Sequence, residues 1–274
     1  MSETAKKALL DTDFLFKTQL AQNKNHEPLA DLIMQFEGYN FFCHEKIMSE
    51  LQTHGFSPDP IPWIEMQIEK GKIQLYSDSR IMEEIDELFG SGSPQLYYDM
   101  LKTSCDAFPK ATGKSFFATY YQPLVDLPED AGKERFLTTL AACDTAIPNG
   151  SSMGEKKSLV LAQMMQLKYP GKVVILCSDD GKARQRVAYI GNQIHCLSIL
   201  STFQKLQADG LAKETARQYY DSFCSFLSLH NQTGMKVWTH STSEKINVDF
   251  ETLFDDIYAG RFEIKGTGDL RYKK

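Results

Sequence analysis

The chain has 274 residues, 42% of them hydrophobic, enough for one large domain or one domain with a substantial insertion. Its formal charge of −6 argues against a generally basic coat for nucleic acid, although acids gathered at a metal site would add to that total without repelling a polyanion once cations are bound. No apolar run approaches the roughly 18 residues of a membrane span, no export signal opens the chain, and the six scattered cysteines (Cys43, Cys105, Cys143, Cys177, Cys196, Cys224) contain no C-x-x-C pair, so a cytoplasmic chain with reduced thiols and no membrane partner is expected.

In chain order, the first predicted element is a short strand, Ala8-Leu9-Leu10, running directly into Asp11-Thr12-Asp13. Helical spacing follows over 14–22 and 27–36, then a strand over 39–43 and a helix over 44–54 that Gly55 is suited to close, a βαβ-like opening. Prolines between 58 and 62 break regular structure, and a helix over 63–69 and a strand over 72–76 come next. An acidic helix over 81–89, the turn Gly90-Ser91-Gly92-Ser93-Pro94, a helix over 95–105 and an aromatic stretch follow, so that 56–130 reads as a largely helical insertion.

The second half alternates a helix over 133–143, the turn Pro148-Asn149-Gly150, a helix over 155–168, a strand over 173–177, a helix over 182–190 with Gly191 at its C′ position, a strand over 193–196 and a helix over 198–207. Val173-Val174-Ile175-Leu176-Cys177, bounded by Gly171 and by Ser178-Asp179-Asp180-Gly181, has the continuous apolar character of a central parallel strand covered on both faces. Residues 211–274 read as an α/β extension with a helix over 213–229, a strand over 236–239, a helix over 250–259 and a polar tail. The expected fold class is α/β: a mainly parallel central sheet flanked by helices in a Rossmann-like three-layer arrangement, formed by 1–55 and 131–210 and carrying the inserted helical region.

Sites in open α/β sheets form beyond the carboxyl ends of the strands, and the strands ending at Leu10 and Cys177 both deliver acids there. Glu50 lies beside the apolar stripe of Ile47 and Leu51, where a bare carboxylate is costly to bury, and Glu155 opens the 155–168 helix. Two-metal phosphodiester hydrolysis, with ions about 3.5–4 Å apart, requires such acids to meet in space. Each acid also has a structural alternative. Asp11 is suited to a turn or a helix N-cap, with Asp13 the better cap, and Glu50 to a solvated helix face. Glu155 can close a Ser-x-x-Glu capping box with Ser152, and one of Asp179 and Asp180 can cap the helix from Lys182, leaving the other for metal. Local basic candidates are Lys156 with Lys157, the set Lys182, Arg184 and Arg186, and the tail Arg271, Lys273 and Lys274, each with a solvated face or a frayed terminus as its alternative.

The order of these acids resembles the PIN-domain nucleases. Ala8-Leu9-Leu10-Asp11-Thr12-Asp13-Phe14-Leu15 is similar to that family's opening strand and acid, and Phe41 to Leu51, ending in Met48-Ser49-Glu50-Leu51, to its second acidic motif. Met153-Gly154-Glu155-Lys156-Lys157-Ser158-Leu159-Val160-Leu161-Ala162 resembles the Gly-Glu helix of one branch, while Ile175 to Arg186 with Ile194 to Leu200 resembles the closing strand, acidic pair, Lys-Ala-Arg helix and strand-helix turn. The likeness covers about residues 7–54 and 150–210, and its second block is the more specific. It implies Mg²⁺ or Mn²⁺ held by Asp11, Glu50, Glu155 and Asp180, with Asp179 beside them, cleaving RNA, or less often DNA, by metal-activated water. Ser178 would orient one of the acids or meet the substrate, and Lys156, Lys182 or Arg184 would hold backbone phosphate. The insertion and the C-terminal extension depart from small toxin-type members, and Gly181 stands where members often carry Arg. A homo-oligomer or an inhibitor protein is a further partner left open.

Two other classes compete. Asp11-Thr12-Asp13 also resembles the D-x-D phosphoryl-acceptor motif of haloacid-dehalogenase-like phosphatases, but Leu15 replaces their usual Thr or Val and that chemistry has no use for Glu50 and Glu155. A non-catalytic module is the third reading, in which Phe116, Phe117, Tyr120 and Tyr121 stack on bases or, alternatively, form subdomain core. The six histidines have no zinc-ligand spacing, His44 near Glu50 being either a substrate contact or a satisfied surface residue, and no phosphate-binding glycine loop is present.

Overall fold

Strand β1 (Lys6–Leu10) is followed by α1 (Thr12–Leu20), α2 (Leu29–Ile33), β2 (Tyr39–His44), α3 (Glu45–His54), α4 (Ile61–Glu69) and β3 (Ile73–Tyr76). A helical stretch comes next: α5 (Asp78–Phe89), a 3-10 turn at Gly90–Gly92, α6 (Ser93–Ala107), α7 (Phe116–Tyr120), α8 (Gln122–Val125) and α9 (Lys133–Thr145). The chain continues through α10 (Met153–Lys168), β4 (Val174–Cys177), α11 (Gly181–Ile190), β5 (Ile194–Leu197) and α12 (Ile199–Ala208). It closes with α13 (Lys213–Leu229), β6 (Gly234–Trp238), β7 (Lys245–Asp249), α14 (Phe250–Tyr258), β8 (Phe262–Ile264) and β9 (Leu270–Tyr272). This computed structural model describes residues 5–55, 57, 59–108, 115–128, 131–190, 194–241 and 244–274; Gly191 and residue 193, expected at a helix end and a strand start, lie outside them.

The central sheet is five-stranded and wholly parallel, in the order β3-β2-β1-β4-β5. The chain steps outward from β1 to β3, then returns to lay β4 and β5 on the other side. The order therefore reverses between β1 and β4, where Leu10 lies opposite Cys177. Such a reversal opens a crevice beyond the carboxyl ends of the two strands.

Strand periodicity divides the core in two. Ala8, Leu10, Phe41, Cys43, Ile175 and Cys177 face one layer, with α1–α4 and α12–α14. Leu9, Phe42, Val174 and Leu176 face the other, with α5–α11. Burial on both faces explains why β4 reads as an unbroken apolar run.

The structure adds to the sequence reading in the 56–130 segment, at Lys245–Asp249, where β7 was not expected, and in the polar tail. Strand β3 pairs with β2 inside the 56–130 segment, so that segment supplies a strand of the central sheet as well as helices. The polar tail folds as β8 and β9, which with β6 and β7 form a second sheet in the order β7-β6-β9-β8. Strands of three residues leave too little alternation to detect. Val237, Val248, Phe262 and Leu270 of this sheet join the same core as α12–α14. Among the described residues no helix is long and apolar enough to cross a membrane.

Beneath α10 lies a buried charge network. Lys157 is 0% exposed, and its Nζ sits 2.7 Å from both Asp78 Oδ2 and Asp144 Oδ2. The Tyr97 hydroxyl donates to Asp78, and the Tyr121 hydroxyl to Asp144 at 2.6 Å. His44 Nδ1 accepts from Lys46 N at 3.0 Å, so Nε2 carries the ring hydrogen and faces Asp78 Oδ1 at 3.2 Å. Burial alone would raise the Asp78 carboxyl; the Lys157 charge and the His44 hydrogen bond outweigh it and hold Asp78 well below the ordinary carboxylate range. His44 is thus neither a substrate contact nor a surface residue.

Candidate functional site

Asp11 leaves β1 and stands at the N-cap position of α1 in extended conformation, yet its side chain caps no helix amide. Its Oδ2 accepts instead from Ser178 Oγ at 2.8 Å, and the residue is only 3% exposed. The Asp11 amide donates to Cys177 O at 3.0 Å, pinning the end of β1 to the end of β4. Ser178 is itself held: its amide donates to Leu197 O, its carbonyl accepts from Arg184 Nη1 at 3.0 Å, and its Oγ accepts from Asp180 N at 3.2 Å.

Glu50 joins three helices. Oε1 accepts from Gly154 N at 2.7 Å, and Oε2 from Thr12 Oγ1 at 2.9 Å. Ser152, at the N-cap of α10, is left-handed (φ 54°) and its side chain makes no cap bond, so the Ser-x-x-Glu capping box is not formed. A carboxylate from α3 satisfies that helix end in its place, and Glu155 turns to the crevice. The close approach requires glycine at 154, because a Cβ there would lie 2.2 Å from Glu50 Oε2 and 2.8 Å from Ile47 Cδ1.

The paired acids after β4 divide their tasks. Asp180 Oδ1 accepts from Lys182 N at 2.7 Å and Ala183 N at 3.2 Å, capping α11. Asp179 accepts from Ile199 N at 3.3 Å and, through Oδ2, from Lys17 Nζ at 2.7 Å. Lys17 also donates to Asp13 Oδ2 at 2.8 Å.

Asp11, Asp13, Lys17, Glu50, Glu155, Asp179 and Asp180 line one open cavity of about 480 Å³ at the reversal of strand order. Burial lifts the Asp11 carboxyl well above the ordinary range; the Glu155 charge adds to this and the Ser178 hydroxyl opposes it. Glu155 is raised by burial, and its neighbours Glu50 and Asp180 push the same way. Asp13 is raised by burial against the pull of Lys17. Burial would lower Lys17, but Asp179 and Asp13 outweigh it and hold the lysine above its usual value.

Lys17 thus serves Asp13 and Asp179, and among the described residues no salt bridge reaches Asp11, Glu50, Glu155 or Asp180. An excess of carboxylate oxygens with shared strain on ionisation suits a hard divalent cation such as Mg²⁺ or Mn²⁺. Among the described residues, however, no group of three or more His, Cys, Asp or Glu side chains is already gathered to hold one. The acids ring the cavity, with both oxygens of Glu50 and of Asp179 engaged by protein donors.

Two expected phosphate contacts are placed elsewhere. Lys156 is 1% exposed, its Nζ 4.0 Å from the Phe116 ring centroid and donating to Ser151 O at 2.6 Å and Ser152 O at 3.2 Å; burial pushes its pKa down to about 8. It stabilises the left-handed approach to α10. Arg184 donates to Thr267 O at 2.9 Å and Asp269 Oδ1 at 2.9 Å as well as to Ser178 O, fastening the C-terminal sheet to the end of β4. Lys182 is exposed at the rim. Phe116, Phe117 and Tyr121 are buried in the second core, so this run is subdomain interior and no stacking platform.

Sequence reasoning missed Thr12, Lys17 and Gly154 as site residues, and Asp13, expected as the better helix cap, instead lies in the first turn of α1 and pairs with Lys17. Only Asp13 and Lys17, one helical turn apart, left a local signal. Compared with known proteins, the chain matches no family model and no curated sequence.

Proposed function

We propose that this chain is a metal-dependent nuclease that hydrolyses phosphodiester bonds, in single-stranded RNA ahead of DNA. The observation that supports the reading is the uncompensated excess of carboxylates at the strand-order reversal, with Asp11 and Glu155 both raised. Asp11, Glu50, Glu155 and Asp180 would hold Mg²⁺ or Mn²⁺, which when bound supplies an activated water and neutralises charge on the leaving oxygen. The chain's own groups set the stage. Ser178 fixes the Asp11 carboxylate, while Thr12 and the Gly154 amide fix Glu50. Asp13 and Asp179 hold Lys17 at the cavity, and among the described residues no further acceptor takes its third donor, which would meet a phosphate oxygen. Lys182 stands at the rim for the same task.

The test is incubation of the protein with labelled single-stranded RNA and DNA, and separately with an aryl phosphate, in Mn²⁺ or in EDTA. Polynucleotide cleavage in Mn²⁺ alone is expected, with the aryl phosphate intact. Turnover of the aryl phosphate with polynucleotide intact would instead favour the phosphatase. Strand binding that survives EDTA without cleavage under any metal would favour the binding module.

Two further results follow. Gly154→Ala should leave a folded protein but expel Glu50 from its seat, weakening Mn²⁺ binding by about 10- to 100-fold, the range for groups that orient a ligand. Calorimetric titration measures this, and wild-type affinity would count against the role given to Glu50. The pH dependence has a definite sign. Because the folded Asp11 and Glu155 carboxyls are raised, the folded chain keeps their protons longer than the unfolded chain, so ionising them lowers stability as pH rises through that window. A cation removes the repulsion. The Mn²⁺-induced rise in Tm should therefore be largest above the raised pKa values and shrink as pH falls through them; a rise independent of pH would contradict the assignment.

A further inference from the structure

Helix α11 starts at the cavity, and its outward face carries Lys182, Gln185, Arg186 and Tyr189, all exposed and spaced i, i+3, i+4, i+7. The opposite face, with Ala183, Arg184 and Val187, is buried. Tyr189 is 89% exposed, above every other exposed large hydrophobic side chain described, so its ring adds nothing to the core. Arg186 has its guanidinium carbon 5.6 Å from the Phe108 ring centroid, and among the described residues no salt bridge takes up Arg186 or Lys182. The helix holds no acid at all, in a chain whose net charge is −6.

Resting on the nuclease reading above, we infer that this face is the track along which single-stranded RNA enters the cavity, with Lys182 and Arg186 on backbone phosphates and Tyr189 stacked on an unpaired base. At 1.5 Å rise per residue, Arg186 lies about 6 Å and Tyr189 about 10 Å along the axis from Lys182, a spacing that long side chains extend across neighbouring nucleotides. Cations alone would accept any polyanion. The exposed ring selects a strand whose bases are unpaired, because stacking requires a free base face.

The test is fluorescence anisotropy in EDTA, where metal-dependent cleavage is stopped, with a labelled oligouridylate, an oligothymidylate of equal length and an RNA duplex. Tyr189→Ala should weaken oligouridylate binding by about 5- to 150-fold, the effect of losing one base stack, and leave duplex binding unchanged. Tyr189→Trp should retain binding and add indole fluorescence that is quenched by the strand. Arg186→Ala should reduce the salt dependence of binding by about one phosphate contact. Wild-type affinity in Tyr189→Ala, or duplex bound as tightly as single strand, overturns the track, and tighter binding of oligothymidylate overturns the choice of RNA. A wild type that neither binds nor cleaves any strand overturns the nuclease reading itself, whereas cleavage that proceeds equally in wild type and Tyr189→Ala overturns the track alone.

Discussion

Asp11→Asn should lose Mn²⁺-dependent cleavage by more than about 100-fold, beyond the usual effect of disturbing a group that merely orients a metal ligand. The substitution keeps the shape of the side chain and an oxygen for the Ser178 hydroxyl, and removes only the charge. That charge is costly where it stands, since burial and Glu155 both oppose it. The variant should consequently melt no lower than wild type in the absence of metal. Loss of cleavage together with an undiminished Tm separates a role in the reaction from a role in the fold. Equal cleavage by the two proteins would point to a contaminant or to a different site.

Lys157→Met should cost about 3 kcal/mol of folding stability, a drop in Tm of roughly 6–12 °C for a chain of this size. The methionine fills the space of the lysine stem but leaves Asp78 and Asp144 without a lysine or arginine partner among the described residues. Their side chains are 18% and 17% exposed, so water relieves part of the loss and places the expected value at the lower end for a broken buried pair. Asp78 is held below the ordinary carboxylate range, so its contribution is present above the unfolded carboxylate pKa and disappears only as pH falls through the lower folded value. The gap between wild type and variant should accordingly persist across neutral pH and close in strong acid. Adding Asp78→Asn and Asp144→Asn to the variant should recover more than half of the loss in a urea titration. A Lys157→Met protein as stable as wild type would show that the network is not what anchors α10.

The parts of this site that could be read from the sequence are those whose signal is local. Strand β4 announces itself because both its faces are covered, and the acids after β1 and β4 fall where a parallel sheet puts its ligands. Glu50 stood out through the apolar neighbours Ile47 and Leu51, both buried in the structure. What escaped depends on partners far away in the chain. Lys17 gains its place from Asp179, and Gly154 is required by a carboxylate from α3. Lys156, Lys157 and Arg184 look like surface cations when only their neighbours in sequence are considered. Their environments are made by Phe116, by Asp78 with Asp144, and by Asp269, none of which local periodicity connects to them. Which of the adjacent Asp179 and Asp180 caps α11 and which takes the lysine is likewise decided by the distant Lys17 and not by their own neighbours in sequence.

Whether the dispersed acids act as one cation site is tested most directly by titrating wild type and the Asp11→Asn, Glu155→Gln double variant with Mn²⁺ and following the free ion by electron paramagnetic resonance. Wild type should remove Mn²⁺ from solution saturably, and the double variant should leave it free. Superimposable titrations of the two proteins would contradict the account.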